Sequence, residues 1–371
     1  MRIGLFSDIL TTDPWSGIGN YVRYLVREWS REHEVWALGA RGGNPEAGFA
    51  GSVRMAAWNW RWRRQVEKFV DVVHCPLTQI PDRFYRLNRP RVVTIHGAAA
   101  FLFPGTTTTE APTPSMLRLR KEHEALDLFL TVSRSAQAEI SEHYGIPPER
   151  ILPIYHGVDT EIFFPAPDKE AARRRACTRF GIPGPYLLHV SKYRPKKNGA
   201  RIVAAYRRLW REGFREISLV LAGTVRRGFA AVAEEIERGD GGRIVRLGQL
   251  QGRELAELYQ GAEVFLFPSL HESFGLPPLE SMACGVPVVV SNVFSLPEVV
   301  GEAGEKVNPE SVEEIAAATA PLLRNPALRA ERSRAALARS REFRWDICAR
   351  KHIEAFERAR EAFAVRKRER N

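Results

Sequence analysis

Two glutamates eight residues apart, Glu272 and Glu280, stand in the stretch of the chain whose residue types are best suited to chemistry. The stretch starts as the apolar run Val264–Phe267, passes through a loop that contains Glu272, and places Glu280 early in a predicted helix. Carboxylates accept hydrogen bonds from vicinal hydroxyls, so two of them at this spacing suit a sugar and a ribose. Either glutamate alone is more simply a loop charge or a helix-dipole residue. The whole string favours a binding site.

The turn chemistry of this stretch predicts where its helix begins and ends. Pro277 or Pro278 suits the first helical turn, and Gly285 suits the stop. Amides just before the prolines could donate to phosphate oxygens, namely those of Phe274, Gly275 and Leu276.

Cations follow a second apolar run, residues 187–190. Four of them occur within six residues: Lys192, Arg194, Lys196 and Lys197. A charge run is usually a solvated face, but ligands bind beyond the carboxyl ends of strands in open α/β sheets. Cations at such a position would neutralise a diphosphate.

A glycine pair, Gly17 and Gly19, lies between the first apolar run and a predicted helix over 19–28. Glycines let the backbone approach a ligand closely, and a helix N-terminus attracts anions. Position 22 is Val where a dinucleotide fingerprint has its third glycine, which disfavours an NAD site. A plain turn is the alternative interpretation.

The elements that must position these residues are short apolar runs separated by helical stretches. The runs are 3–6, 35–38, 70–73, 92–95, 128–132, 152–155, 187–190, 217–222, 244–247, 264–267 and 286–290. They are rich in β-branched residues and apolar on both faces, as parallel strands covered by helices are. The alternation predicts a doubly wound α/β architecture.

The runs fall into two sets on either side of a proline-rich linker at 163–168. We therefore expect two Rossmann-like domains that face each other across a cleft. The first domain would cover residues 1–165, and the second would cover residues 166–340. Residues 341–371 are expected to form an amphipathic helix that packs back on the domains and ends in a basic tail.

Composition narrows the class of protein. The chain of 371 residues is 44% hydrophobic and 27% charged, which excludes a disordered or fibrous chain. It has neither a run of roughly 18 apolar residues nor the apolar core of a signal peptide, so a cytoplasmic location is expected. The four cysteines form no CxxC pair, which makes a disulfide framework or a zinc site improbable. The net charge of +11 suits nucleic acid, anionic lipid or a phosphorylated small molecule.

The string from Glu272 to Glu280 resembles the E-x7-E motif of retaining glycosyltransferases of the family 4 type (glycosyl transferases group 1), which have a GT-B fold. Further motifs of this family occur in the expected order over nearly the whole chain: Gly17-Ile18-Gly19, Thr94-Ile95-His96-Gly97, Thr131-Val132-Ser133, His156-Gly157-Val158-Asp159 and Lys192 with Lys197-Asn198. Single pieces such as Gly-x-Gly are unspecific, but the combination is specific. The His-Gly-Val-Asp and Glu-Ser-Phe-Gly pieces also resemble mannosyltransferases of surface-polysaccharide pathways.

The resemblance implies roles for the matched residues. Those implied to act in catalysis are His96, Glu272 and Lys197. Those implied to bind the donor are Gly17, Gly19, Lys192, Lys197, Leu250, Glu272, Ser273, Phe274, Gly275, Leu276 and Glu280. The lysines would clamp the diphosphate. Glu272 would bind hydroxyls of the transferred sugar, Glu280 would bind the ribose, and the loop around Leu250 would hold the base. His96 would lie near the anomeric centre, the alternative being a merely structural histidine.

The implied reaction is metal-independent transfer of a hexose, with retention, from a nucleotide-diphosphate sugar to a hydroxyl of a glycan or lipid-linked acceptor. GDP-mannose is favoured over UDP-glucose, and O-antigen, capsule or exopolysaccharide synthesis is the expected setting. No resident cofactor is implied, and no DxD-type metal motif with the right context occurs. A nucleotide-sugar epimerase or another GT-B enzyme is the nearer alternative. A basic nucleic-acid-binding protein is more distant, because the cations are scattered.

The resemblance implies that the first domain binds the acceptor and that the second binds the nucleotide sugar. Two stretches of the first domain concern the acceptor. Residues 58–64 mix tryptophans with arginines, which favours peripheral contact with an anionic membrane on its inner face. Packing of these tryptophans against the sheet is the alternative. Residues 106–114, rich in threonine and proline, predict a mobile loop that could close over the acceptor.

Overall fold

Two compact units divide the chain in the computed structural model. Unit 1 comprises Met1–Leu102, Ala111–Gly157 and Arg344–Asn371, and unit 2 comprises Phe103–Glu110 and Val158–Phe343. The structure describes every residue except 8, 14–15, 39–52, 56–61, 105–110, 225–228, 239–240 and 370–371. The sequence-based boundaries after 165 and 340, and the cleft between the domains, stay predictions.

Unit 1 is built on a seven-stranded sheet of order β3-β2-β1-β4-β5-β6-β7, in which every neighbouring pair is parallel. Its strands are β1 (Arg2–Leu5), β2 (Glu34–Ala37), β3 (Val53–Met55), β4 (Val72–Cys75), β5 (Arg91–Thr94), β6 (Leu128–Thr131) and β7 (Ile151–Pro153). Its first helices are α1 (Ile9–Thr12), α2 (Gly17–Trp29), α3 (Trp62–Phe69), α4 (Asp82–Tyr85), α5 (Ala99–Leu102), α6 (Pro114–Glu122) and α7 (Arg134–Tyr144).

Unit 2 is built on a six-stranded parallel sheet of order β10-β9-β8-β11-β12-β13. Its strands are β8 (Tyr186–Val190), β9 (Ser218–Ala222), β10 (Arg243–Leu247), β11 (Val264–Phe267), β12 (Val288–Ser291) and β13 (Glu305–Val307). Its helices are α8 (Lys169–Phe180), α9 (Gly199–Arg211), α10 (Phe229–Glu237), α11 (Gly252–Gly261), α12 (Leu276–Ala283), α13 (Leu296–Val300), α14 (Val312–Arg324) and α15 (Pro326–Ser340).

The last helix, α16 (Trp345–Glu369), returns to unit 1. The indole of Trp29 on α2 donates to the carbonyl of Ala349 at 3.2 Å, and Phe356 is fully buried. Arg366 pairs with Asp127 at 2.6 Å, which holds the far end of the helix against the same unit. The doubly wound fold class and the long C-terminal helix are thus confirmed.

Both sheets contain a topological switch point, where the strand order reverses direction. It lies between β1 and β4 in unit 1 and between β8 and β11 in unit 2. Ligands of open α/β sheets bind beyond the carboxyl ends of the strands at such points, because the adjacent loops diverge there and leave a crevice. The loops after β8 and β11 are those that carry the predicted lysines and Glu272.

The structure bears on a membrane-spanning helix, but it leaves untested the predicted membrane contact and the predicted loop closure. No helix within the described parts of the chain combines the length and the apolar character that a bilayer crossing requires. Of the stretch 58–64, residues 58–61 lie outside the described residues, as do 106–110 of the threonine-rich stretch. Membrane contact and loop closure therefore stay predictions.

Candidate functional site

An ion pair at the switch point of unit 2 joins two of the predicted site residues. The Nζ of Lys197, in the short turn before α9, lies against Oε1 of Glu272, in the loop after β11. Only 16% of the lysine side chain and 11% of the glutamate side chain are exposed. The ammonium also lies over the ring of Phe267, 5.1 Å from its centroid. Each charge is thus partly desolvated and compensated by the other.

Asn198 explains why Lys197 lies where it does. Its φ of 61° is in the left-handed region, which asparagine tolerates better than most residues. Its side-chain amide donates to the carbonyls of Pro268 at 2.9 Å and Pro309 at 2.6 Å. These bonds join the loop before α9 to the loops after β11 and β13. The lysine backbone is therefore held against the glutamate loop by a neighbour that is itself buried.

Ser295 holds the Glu272 loop from the other side. Its hydroxyl lies 2.8 Å from the carbonyl oxygen of Glu272 and 2.7 Å from that of Phe274. Gly275, which precedes α12, has a φ of 126°, and a β-carbon there would lie 2.7 Å from Leu296. Only glycine fits this backbone without strain. The loop between the two glutamates is therefore fixed on both sides.

The two glutamates of the motif have opposite ionisation. Burial acts to raise the pKa of Glu272, but Lys197 and Lys196 outweigh it and bring this pKa below its ordinary value. Burial raises the pKa of Glu280 to about 8, although a hydrogen bond from the Tyr259 hydroxyl, at 3.2 Å, acts to lower it. At neutral pH Glu272 is therefore a carboxylate, whereas Glu280 holds its proton.

The other residues assigned to the donor, apart from Gly17 and Gly19, occupy unit 2 as well. Ser273 and Phe274 follow Glu272 directly, and Leu276 is the first residue of α12. Because Pro277 and Pro278 have no N–H, the amides that can donate at this helix end are those before them. Lys192 follows β8, and Leu250 follows β10 at the edge of the sheet.

Gly17 and Gly19 lie in the first turn of α2, in unit 1. The amide of Gly19 donates to the hydroxyl of Ser16 at 3.0 Å, so the side chain of Ser16 caps the N-terminus of α2. Amides at the first two helical positions have no partner four residues earlier within the helix. A donor role for the backbone near Gly17 stays a prediction, and the Gly19 amide is occupied in this structure.

His96, in unit 1, is neutral at neutral pH. Burial lowers its pKa to about 4, although the Pro76 carbonyl, 3.0 Å from Nε2, acts to raise it. Because a carbonyl only accepts, Nε2 carries the hydrogen and Nδ1 keeps its lone pair. The ring of Tyr21 on α2 meets that of His96 edge-on at 5.0 Å. His96 and the first turns of α2 are therefore brought together within this unit.

A hydrogen-bond chain runs behind His96 through four elements of unit 1. Nδ1 of His352 bonds to the carbonyl of Cys348 at 2.8 Å, so Nε2 accepts from the Tyr21 hydroxyl at 2.7 Å. Tyr21 in turn accepts from Thr94 at 2.9 Å, and Thr94 accepts from Nε2 of His74 at 2.8 Å. The direction of every bond follows from the terminal carbonyl. Nδ1 of His74 is buried and has no hydrogen-bond partner among the residues that the structure describes.

His156 completes this cluster of aromatic side chains. Its ring lies 5.0 Å from that of Tyr21 and 5.5 Å from that of Trp345, at the start of α16. A β-carbon on the following residue, Gly157, would lie 2.2 Å from the Trp345 backbone nitrogen. The motif at 156–159 therefore permits a close approach between the end of the first sheet and the last helix.

Sequence reasoning missed several residues that shape these sites. Ser295, Tyr259 and Tyr21 act through hydrogen bonds to residues far away in the chain, and the sequence around them carried no signal for those partners. For His189 the sequence did carry a signal, because a histidine within an apolar strand is a polar group that needs hydrogen-bond partners once it is buried. Its ring bonds to the Leu266 carbonyl at 2.8 Å and to the Ser191 hydroxyl at 2.9 Å.

Comparison with known families matches both halves of the chain. The model of the glycosyl transferases group 1 matches residues 179–339. The model of Glycosyltransferase Family 4 matches residues 15–162. Together they include all the predicted site residues.

Curated relatives agree with these matches. O-antigen chain mannosyltransferase B of Escherichia coli is 33% identical over 292 residues, which cover 77% of this chain and 74% of the relative. Serotype-specific mannosyltransferase WbdA of Escherichia coli is 33% identical over 64% of this chain, but only 29% of that longer relative is covered. D-inositol 3-phosphate glycosyltransferase of Kineococcus radiotolerans is 31% identical over 74% of this chain and 67% of the relative.

Solved structures share the fold. A glycosyltransferase from Rickettsia africae superposes with a TM-score of 0.76 at 17% identity, covering 96% of this chain and 98% of the other. Anabaena Alr3699/HepE, crystallised with UDP and glucose, has a TM-score of 0.75 at 17% identity over 96% and 99% of the two chains. At such identities the likeness establishes the architecture alone.

Proposed function

Because the chain belongs to the family 4 (group 1) glycosyltransferases and is an enzyme of that class, we propose that it transfers a hexose, with retention, from a nucleotide-diphosphate sugar to a hydroxyl. GDP-mannose is the proposed donor and UDP-glucose the next candidate. The proposed acceptor is a glycan or a lipid-linked glycan of an O-antigen, capsule or exopolysaccharide. The mannosyltransferase names of two relatives support this choice.

The observation that carries the proposal is the buried pair of Lys197 and Glu272 at the switch point of unit 2. Without a donor, each group satisfies the other. A diphosphate would compete for the ammonium, and a sugar hydroxyl would compete for the carboxylate. Both groups of the donor are thus recognised by one pair that already has the required charges and a fixed backbone.

The main requirement of the proposed reaction is stabilisation of the leaving group. Glycosyl transfer passes through an oxocarbenium-like state, and here negative charge develops on the departing phosphate oxygen. Lys197, Lys192 and the amides before α12 would stabilise that charge. Preorganised charges and dipoles of this kind typically supply a large share of catalysis. The proposal therefore needs no metal ion, and the acceptor hydroxyl would lose its proton to the leaving phosphate.

The strand order supports a layout for the rest of the donor. Neighbouring strands lie about 4.8 Å apart, so the loops after β10 and β8 are about 10 Å apart. The loop at Leu250 would hold the base, the lysines after β8 the diphosphate, and Glu272 after β11 the sugar. Glu280 would bind the ribose, and its proton makes it both a donor and an acceptor for the two hydroxyls.

Unit 1 contributes His96 and the start of α2 to the proposal. The neutral ring of His96 keeps a lone pair on Nδ1, which can accept from a sugar or acceptor hydroxyl. Peripheral contact with an anionic membrane, through the stretch at 58–64, is part of the same proposal if the acceptor is lipid-linked. Vesicle flotation tests that part, and absence of association would remove it.

The test of the pair uses Glu272→Gln and Lys197→Met, compared with Glu302→Gln and Lys306→Met. The control pair is an exposed bridge of the same unit, 2.7 Å long, that no proposal involves. Release of nucleoside diphosphate should fall by about 100-fold or more in the site variants, because each removes a charge that acts on the reacting groups. The control variants should turn over like the wild type. Near-normal turnover in both site variants would refute the site.

Donor identity is tested by a thermal-shift screen against GDP, UDP, ADP and dTDP sugars. A ligand that binds only the folded state raises the melting temperature by mass action. The largest shift should occur with GDP-mannose. A larger shift with another nucleotide sugar would overturn that choice but keep the class of reaction, and NMR of the product reports the anomeric configuration.

A further inference from the structure

Phe294 has a backbone conformation that a bulky residue avoids. Its φ is 56°, and among the described residues only Asn198 shares a positive φ without being a glycine. The β-carbon and ring of a phenylalanine make this region unfavourable, and such strain persists only where surrounding contacts enforce it. The contacts are present on both sides. The amide of Asn292 donates to Val307 at 2.8 Å, and Ser295 is bonded to the Glu272 loop.

Three aromatic rings meet at this strained position. The ring of Phe294 lies 4.5 Å from that of His271 at 67°, and the ring of Phe103 lies 5.3 Å from His271. Phe103 and Phe294 are themselves 6.0 Å apart at 70°. His271 is completely buried, whereas both phenylalanines remain partly exposed. Two rings thus present part of their surface to solvent above a buried imidazole.

Burial alone does not account for this arrangement. The stabilisation that an apolar side chain contributes scales with the area it removes from water, and these rings keep part of theirs in water. A strained backbone at Phe294 that places its ring beside a second partly exposed ring is instead typical of a surface that receives a ligand. The position identifies the ligand, because His271 directly precedes Glu272.

We propose that Phe103 and Phe294 form a subsite that binds a sugar ring of the acceptor glycan through its C–H face. The proposal rests on the proposed function, in which Glu272 holds the transferred sugar. The acceptor oxygen must come within about 3.5 Å of the anomeric carbon, so the acceptor ring has to lie beside the transferred sugar. Phe103 also belongs to the N-terminal half of the chain, for which acceptor binding is expected.

The chemistry of the two surfaces is complementary. The face of an aromatic ring is electron-rich, and the C–H groups on one side of a pyranose are slightly positive because each carbon bears an oxygen. Stacking buries that apolar side and leaves the hydroxyls at the rim. Glu272 directly follows His271 in the chain, and its ionised carboxylate, paired with the ammonium of Lys197, offers charged partners for hydroxyls in the same loop region.

The test uses methyl α-D-mannopyranoside as the probe and saturation-transfer NMR with irradiation of the protein's aromatic protons. In the wild type, the sugar C–H protons should receive saturation. In Phe103→Leu and in Phe294→Leu the dissociation constant should rise about threefold to tenfold, and Phe294→Tyr should restore binding. Phe294→Gly removes the ring and the strain together, and it should bind as weakly as Phe294→Leu.

Release of nucleoside diphosphate from the donor in the absence of acceptor is the control, and it should change less than twofold in every variant. Wild-type binding of the mannoside by both leucine variants would overturn the subsite, as would absence of saturation in the wild type. A parallel loss of donor hydrolysis would also overturn it, because the rings would then merely support the Glu272 loop. A wild type that releases no nucleoside diphosphate from any nucleotide sugar, with or without a glycan acceptor, would refute the proposed function, whereas the NMR experiment needs no turnover and still decides on the subsite.

Discussion

Acid should loosen the contact between α16 and the rest of unit 1, and His352 is the group through which this prediction can be measured. Burial lowers the pKa of His352 to about 4, against an ordinary value of 6.5, although its bond to the Cys348 carbonyl acts to raise it. The folded protein therefore keeps the ring neutral down to about pH 4. Once α16 opens, the ring takes up a proton at any pH below about 6.5, so opening becomes easier as the pH falls towards 4.

The magnitude follows from the two pKa values. Between pH 7 and pH 5, proton uptake by one such histidine favours the open form by about 2 kcal/mol, on the order of a twentyfold change in the opening equilibrium. His352→Gln removes the titration and keeps an amide oxygen as an acceptor for Tyr21. Lys351→Gln is the matched control, since it changes an exposed neighbour on the same helix.

The assay is hydrogen exchange followed by mass spectrometry of peptides from α16 and α2, corrected for the intrinsic exchange rate at each pH. From pH 7 to pH 5, exchange of α16 in the wild type and in Lys351→Gln should accelerate about twentyfold more than in His352→Gln. Ring-nitrogen NMR should also show the hydrogen of His352 on Nδ1. An equal pH response of all three proteins, or a hydrogen on Nε2, would refute the chain of hydrogen bonds.

Two further predictions concern residues of unit 2, and a third concerns the metal requirement of the reaction. Gly223→Ala should lower the free energy of unfolding by more than about 2 kcal/mol, because its φ is 130° and a β-carbon would lie 1.9 Å from the carbonyl oxygen of Ser191. A thermal melt measures the loss. Gly248→Ala is the control, since a β-carbon at Gly248 would meet open space. Glu280→Gln should gain stability relative to the wild type as the pH rises from 5 to 8. In the wild type the folded state holds the Glu280 proton up to a pKa of about 8, whereas the unfolded state releases it near pH 4.5, so only the wild type loses stability over this range. Melting temperatures of the two proteins that change in parallel from pH 5 to pH 8 would contradict this prediction. Turnover should persist in EDTA, and a full loss that Mg²⁺ restores would overturn metal independence.

The strands could be predicted from the sequence because a run of apolar residues is a local pattern. Each of the apolar runs overlaps a strand, with bounds that differ by up to two residues, since a strand covered on both faces must be apolar along its whole length. The two strands that no run predicts, β3 and β13, lie at sheet edges and have three residues each. Their central residues are Arg54 and Lys306, so an edge strand with a charge in the middle leaves no continuous apolar run.

The location of the candidate site was also within reach, but the contacts of its residues were not. The order strand, loop, helix places Glu272 and Lys197 after strands, and capping signals such as Pro277 are read from adjacent residues. That Lys197 pairs with Glu272, 75 residues away, follows only from the adjacency of β8 and β11 in the sheet. No local pattern specifies which strands become neighbours.

The sequence by itself determined the family, the two sets of strands and the residue types available for a donor. Only the tertiary structure decided that Glu272 is ionised while Glu280 keeps its proton, because desolvation and Coulomb interaction depend on distance through space. The same holds for the chain from His74 to His352, whose members come from β4, β5, α2 and α16. Hydrogen bonds of that kind exist only once folding has removed water from between elements far apart in the chain.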